Sequence, residues 1–256
     1  MKLLVVGAGE MGQWFAGRLQ AGFPTGDDAA DLDVAFTDID DDAATAAADA
    51  LDGRAVPTDT DETFDLVCVA VPLPATADAI ARYAARADAA VVDVVGAMDE
   101  PVAAMREHAT GRERVSFHPL FAAANAPGNV AVVVDEGGPV TDRVREALSA
   151  AGNRLFETTP AEHDEAMETV QARAHAAILA FGLAAADVRE EFHTPISEGL
   201  FALLEQVTDG DPRVYADVQA AFEGADDVAD AACALASADH DAFVDLYREA
   251  RRRGQR

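Results

Sequence analysis

Short, uninterrupted apolar runs recur along the chain up to residue 156: Leu3 to Val6, Val34 to Thr37, Leu66 to Val71, Ala90 to Val94, Val115 to His118 and Val130 to Val134. Runs this short, without polar alternation, suit strands covered on both faces, as in a parallel sheet. Between them lie longer Ala-rich stretches with helical spacing of apolar positions, such as Met11 to Ala21 and Ala75 to Ala87. This βαβ rhythm predicts a Rossmann-type, doubly wound α/β domain. After Phe156 no further β-branched run occurs and the texture becomes helix and turn. Thr159-Pro160-Ala161-Glu162 supplies the capping hydroxyl, first-turn proline and acid of a helix start. The pattern therefore predicts a sheet domain over 1–157 and an all-helical domain over 158–256. Turn-forming residues cluster from Gly22 to Asp31 and around Asp209-Gly210-Asp211-Pro212.

Gly7-Ala8-Gly9-Glu10-Met11-Gly12 follows the first strand run directly and opens a helical pattern. In that position Gly7 allows a tight turn, Gly9 lets the backbone approach a pyrophosphate, and Gly12 permits close helix packing. Glu10 and Met11 complete the cofactor loop. An acid, Asp38, ends the second strand run 26 residues after Gly12, where a carboxylate accepts from ribose hydroxyls. Asp40, Asp41 and Asp42 follow with no arginine nearby, which favours NAD over NADP. Val71 and Pro72, in the turn Val69 to Pro74, are expected to wall the same cofactor.

Among six histidines, His118 ends a strand run just before Pro119, and chemistry in open α/β sheets gathers at the carboxyl ends of strands. His163, Met167, Gln171 and His175 recur every four residues, which puts them on one face of one helix. That stripe makes His163 and Gln171 candidates for substrate binding and His175 a candidate contact to substrate or nicotinamide.

Charge narrows the picture further. With 47 acidic and 19 basic residues the formal net charge is −28, which repels phosphate backbones and anionic lipid. Neither nucleic acid nor a membrane is expected as a partner. The acids divide into 30 Asp and 17 Glu, and Lys2 is the single lysine, a bias that fits adaptation to high salt. A lysine general acid would have to be Lys2, which opens the first strand. Cys68 and Cys233 lie far apart without zinc spacing, so no metal site is expected. No 18-residue apolar run or basic leader is visible, and a cytoplasmic location is expected.

Several of these segments together resemble the prephenate dehydrogenase family: GAGEMG, the acid of FTDID, VPLP, the strand Val91-Val92-Asp93-Val94, SFHPLF, TPAEHDEAMETVQARAH, and the late stretch Asp211 to Gln219. The likeness runs from Lys2 to about Phe222. It implies an NAD(P) domain, a helical domain that mediates a homodimer, and oxidative decarboxylation of prephenate, or of its amine counterpart arogenate. By this resemblance His118 corresponds to the catalytic histidine that takes the substrate hydroxyl proton, and His175 to a second active-site histidine. Three positions depart from the family's pattern. Gly96 stands where a hydroxyl partner of the catalytic histidine is expected, Gln206 where an arginine binds the ring carboxylate, and HPMFGP reads His118 to Ala123. Ser116, two residues before His118 on the same strand face, is the candidate to orient it instead. The β-hydroxyacid dehydrogenases share the glycine start, but their mechanism resembles one that needs a lysine. A dinucleotide-binding paralogue without catalysis is the alternative outside enzymology; Gly96 and Gln206 speak for it, and the presence of both His118 and His175 against it.

Overall fold

The computed structural model describes residues 1–22 and 32–255; the expected turn after Gly22, from 23 to 31, lies outside the described residues. The chain divides into two compact units, Met1–Glu165 and Ala166–Arg256. In the first, eight strands form one sheet: β1 (Lys2–Val6), β2 (Asp33–Thr37), β3 (Arg54–Ala55), β4 (Phe64–Val69), β5 (Ala87–Asp93), β6 (Glu113–Pro119), β7 (Asn129–Glu136) and β8 (Arg154–Glu157). Their spatial order is β3-β2-β1-β4-β5-β6-β7-β8. All six apolar runs form strands. The two that the pattern missed, β3 and β8, are short edge strands whose residues are mostly half-exposed or exposed, so burial never imprinted an apolar run on them.

Pairing is parallel except between β6 and β7. Only residues 120–128 separate β6 from β7. A parallel return needs a crossover of about a dozen residues or more, so this chain turns back antiparallel. β1, β2, β4, β5 and β6 consequently end on one edge of the sheet, and the strand order reverses between β1 and β4. That reversal is the crevice where open α/β sheets take ligands.

Helices α1 (Glu10–Gly22), α2 (Asp41–Ala50) and α5 (Pro139–Ala150) cover one face, and α3 (Thr76–Tyr83) and α4 (Asp99–His108) the other. Strand alternation supplies both cores. Leu3, Val5, Phe36 and Val92 pack with Trp14, Phe15, Leu19, Ala47 and Leu148. Leu4, Val6, Val67 and Val91 pack with Ile80, Tyr83, Val102 and Met105. The acidic tract starts α2 by capping, with the Asp40 side chain accepting from the amides of Asp42 and Ala43.

Helix α6 (Pro160–Met167) follows the last strand. The second unit contains α7 (Ala174–Ala184), α8 (Pro195–Thr208), α9 (Pro212–Ala221), α10 (Ala225–Ser237) and α11 (His240–Arg253), with no strand among its described residues. Thr194 and Ser197 form a reciprocal cap at the start of α8, with Pro195 in its first turn. Between α6 and α7 the helix is not α throughout, because Glu168–Arg173 forms a π segment. Among the described residues no helix is long and apolar enough to cross a membrane.

Candidate active site

The glycine turn is closed by backbone geometry that other residues cannot adopt. Gly7 has φ of +102°, and a Cβ there would lie 2.7 Å from the Ala70 carbonyl carbon and 3.2 Å from Val71 Cγ1. Gly12 sits against Val5, 3.0 Å from a Cβ built on it, which lets α1 press onto β1. Gly9 differs from both: a Cβ added there would meet nothing within 4 Å. Open space at the middle glycine, in front of the N-terminus of α1, is the cradle a diphosphate requires. Val71 borders this turn, and Pro72 is exposed beside it. Exposed Glu10 and half-buried Met11 begin α1 at the same point.

Asp38 sits at the end of β2, and its carboxylate ties the loop down. One oxygen accepts from the Ala8 amide at 2.7 Å and the other from the Asp40 amide at 3.0 Å. Asp38, Asp40, Asp41 and Asp42 thus gather at one end of the crevice and the start of α2. The residues present fit an NAD group: Gly7, Gly9 and Gly12 would face its diphosphate and Asp38 its ribose.

On the same sheet edge, near the end of β6, His118 is buried and its Nε2 faces Gly96, at 3.7 Å from a Cβ built on that glycine. The expected hydroxyl is therefore missing from a place that would hold one. The other nitrogen, Nδ1, lies 2.8 Å from Nε2 of His163, which is also buried. His163 Nδ1 in turn lies 2.7 Å from Asp164 Oδ1. Asp164 also accepts from the amides of Met98 (3.0 Å) and Asp99 (3.1 Å), capping α4, whose N-cap residue Met98 contributes no side-chain bond. Burial acts to raise the Asp164 carboxyl, but the bonds from His163, Asp99 and Met98 outweigh it and hold the group below the usual carboxylate range. Burial, then the neighbouring His163, lower His118 to about 3 against the opposing pull of Asp164, so its imidazole is neutral near pH 7.

Two expectations are corrected here. Ser116 does not orient His118: the β5–β6 register sets it opposite Asp93, and its hydroxyl donates to Asp93 Oδ1 at 2.9 Å. Asp93 is fully buried, and burial raises its carboxyl to about 8 against the Ser116 and Val95 hydrogen bonds. The four-residue stripe from His163 to His175 does not lie on one uninterrupted α-helical face either. The π segment carries about one extra residue per turn and rotates the residues beyond it, and π turns are enriched at functional sites. Both ring nitrogens of His163 are engaged by Asp164 and His118, which places it behind His118.

In the second unit His175 packs edge-on against Tyr215, centroids 4.9 Å apart, and its Nδ1 is buried without a hydrogen-bond partner. Burial lowers its pKa. Gln171, with a buried side-chain oxygen, lies in the π segment, and Gln206 is exposed on α8.

A glycine turn at the first strand–helix junction, an acid ending β2 and a sheet whose order reverses beside them define a nucleotide-binding protein of the Rossmann class. Residues 27–133 match the family model described as prephenate dehydrogenase, nucleotide-binding domain. A 4-amino-4-deoxyprephenate dehydrogenase from Streptomyces pristinaespiralis is 33% identical over 171 residues, 63% of this chain and 58% of that protein. The T-protein of Haemophilus influenzae is 32% identical over 124 residues, 46% of this chain and 33% of its own length. Over the matched residues the chain is similar to the prephenate dehydrogenase family, and it spans about three fifths and one third of the length of these two relatives. In fold it resembles the Aquifex aeolicus prephenate dehydrogenase solved with hydroxyphenyl propionate and NAD+, with a TM-score of 0.70 and 18% identity over 100% of this chain and 97% of that one. The Synechocystis arogenate dehydrogenase gives a TM-score of 0.56 and 14% identity, over 100% of this chain and 90% of its own.

Proposed function

We propose that the chain carries out NAD-dependent oxidative decarboxylation of a prephenate-type ring: prephenate to 4-hydroxyphenylpyruvate, as in tyrosine biosynthesis, or arogenate to tyrosine. The observation that carries this reading is a neutral, buried His118 near the end of β6, on the sheet edge that also bears the glycine turn. NAD, when bound, accepts the C4 hydrogen as hydride. As carbon dioxide leaves, the pair of its broken bond enters the ring, and the hydroxyl proton is on oxygen in both reactant and product. His118 therefore has to accept a hydrogen bond from the C4 substituent and return any proton it takes; a neutral imidazole does this without first losing a proton. His175 and Gln171 are assigned to the substrate, with Gln206 as a weaker partner than an arginine for a ring carboxylate. A second substrate reading, 4-amino-4-deoxyprephenate, is favoured by the 33% identical relative of that name and by the room that Gly96 leaves beside Nε2.

The test follows reduced nicotinamide in molar salt, with NAD or NADP and each of the three substrates. Turnover of at least one is expected, with kcat/KM for NAD at least about tenfold above NADP because a 2'-phosphate would meet Asp38. A folded protein that binds NAD but reduces it with none of the three would be the non-catalytic paralogue.

We further infer a homodimer through the helical unit, supported by the exposed apolar side chains of Leu183 (90% exposed), Phe192 (68%) and Ile196 (78%). Light scattering in high salt should give twice the chain mass of 26.8 kDa. A monomeric mass would refute the assignment.

A further inference from the structure

We propose that Asp164 and His163 are positioning residues that fix the tautomer of His118, so that its Nε2 carries a lone pair and reads a donor on the substrate. The proposal rests on the reading of His118 as the acceptor for the C4 substituent.

Of the three linked side chains, Asp164 has the least freedom. A carboxylate offers no proton, and Asp164 already accepts the Met98 and Asp99 amides, so its oxygen 2.7 Å from His163 accepts from Nδ1–H. With one N–H on each ring, His163 Nε2 is then bare. His118 Nδ1, 2.8 Å away, must be the donor of that pair. One proton remains for each ring and both are placed, which leaves the lone pair of His118 on Nε2, the nitrogen facing Gly96. The opposite order needs an extra proton on His163, and would turn His118 Nε2 into a donor unable to accept from a hydroxyl.

The arrangement also explains how His118 is aimed without a hydroxyl at Gly96 and without Ser116, which is held by Asp93. The imidazole rings stand nearly perpendicular, at 70°, as a hydrogen bond from the edge of one ring to the in-plane lone pair of the next permits. Asp164 does two things with one carboxylate: it caps α4, which begins just after Gly96, and it orients the histidine behind His118. The loop facing Nε2 and the tautomer of Nε2 are thereby fixed by the same group. This is the logic by which a buried carboxylate orients a catalytic histidine in other enzymes, extended by one ring.

The first measurement is made on the wild-type protein and needs no substrate. 15N NMR of the histidine rings should show His163 protonated at Nδ1 only and His118 protonated at Nδ1 only; a proton on His118 Nε2 overturns the proposal. In Asp164→Ala the His118 signals should move toward a mixture of tautomers, while kcat falls at least about tenfold and the KM for NAD stays within about twofold. A residue that only caps α4 predicts lower thermal stability with unchanged His118 signals, and that result also overturns the proposal. His163→Gln keeps a carbonyl oxygen for the His118 Nδ1–H and should retain several times more turnover than His163→Leu; equal turnover in the two would argue against it. If the wild-type tautomers are as stated and no prephenate-type substrate is turned over, the positioning stands and the functional reading falls.

Discussion

Replacing His118 by asparagine is expected to leave the fold and NAD binding in place and to cut kcat by roughly a hundredfold or more, the range for losing a positioned acid–base group. The side chain is buried between a strand and Gly96, and asparagine is smaller and polar, so the substitution leaves space without adding strain. What it removes is the lone pair at Nε2. Turnover equal to wild type on every accepted substrate would remove His118 from the chemistry while leaving the family resemblance intact.

The pH profile of the wild-type enzyme belongs to the same prediction. An exposed histidine would give a rise centred near pH 6.5. Burial holds His118 neutral down to about 3, so kcat should be flat from about pH 5 to 8 with respect to this group. Stability carries the matching signature. Because the folded value lies below the unfolded one, the unfolded chain binds more protons, and the contribution of His118, complete above about pH 6.5, is lost as the pH falls toward 3. A profile rising around 6.5 and abolished in His118→Asn would show that burial does not set this pKa.

The glycine turn and the acid beside it were legible in the amino acids because they are local. Gly7 to Gly12 form one turn between β1 and α1, and Asp38 ends the neighbouring strand, so spacing along the chain maps directly onto position in space. The strands were legible because both faces of β1, β4 and β5 are buried, which demands continuous apolar runs. The edge strands β3 and β8 escape that demand. The histidine chain is different, since His118 and His163 are 45 residues apart and meet only because β6 and the start of α6 are brought together by the sheet. Helical spacing pointed His163 toward Gln171 and His175 instead, on the assumption of an unbroken α period that the π segment violates. Ser116 was misassigned for a related reason. Two residues along a strand do share a face, but the parallel register gave Ser116 a closer partner in Asp93. Asp164 had one readable signal, its place directly after His163 and after a helix start, but nothing local shows that the bare N-terminus of α4 lies within its reach.

Two alanine substitutions in the glycine turn should have opposite consequences, and the contrast tests the cofactor assignment without any substrate. Gly7→Ala puts a side chain on a backbone at φ of +102° and drives its Cβ into the Ala70 carbonyl and toward Val71. The carbonyl belongs to the backbone of the β4–α3 connection, which cannot move away without pulling on β4, because the Ala70 amide is bonded to the Val6 carbonyl at 2.7 Å and the Gly7 amide to the Thr37 carbonyl at 2.9 Å. Left-handed backbone strain and overpacking together should cost roughly 3 kcal/mol or more, lowering the melting temperature by about 6–12 °C and abolishing measurable NAD binding. Gly9→Ala meets no atom within 4 Å, so its melting temperature should match wild type to within about 2 °C. Its Cβ would occupy the space in front of the N-terminus of α1 that the diphosphate needs, and its NAD affinity should fall at least about tenfold. Calorimetry of each protein with and without NAD reads both quantities. A Gly9→Ala protein that binds NAD as well as wild type would move the diphosphate away from this turn, and a Gly7→Ala protein as stable as wild type would mean that the turn yields where its packing says it should not.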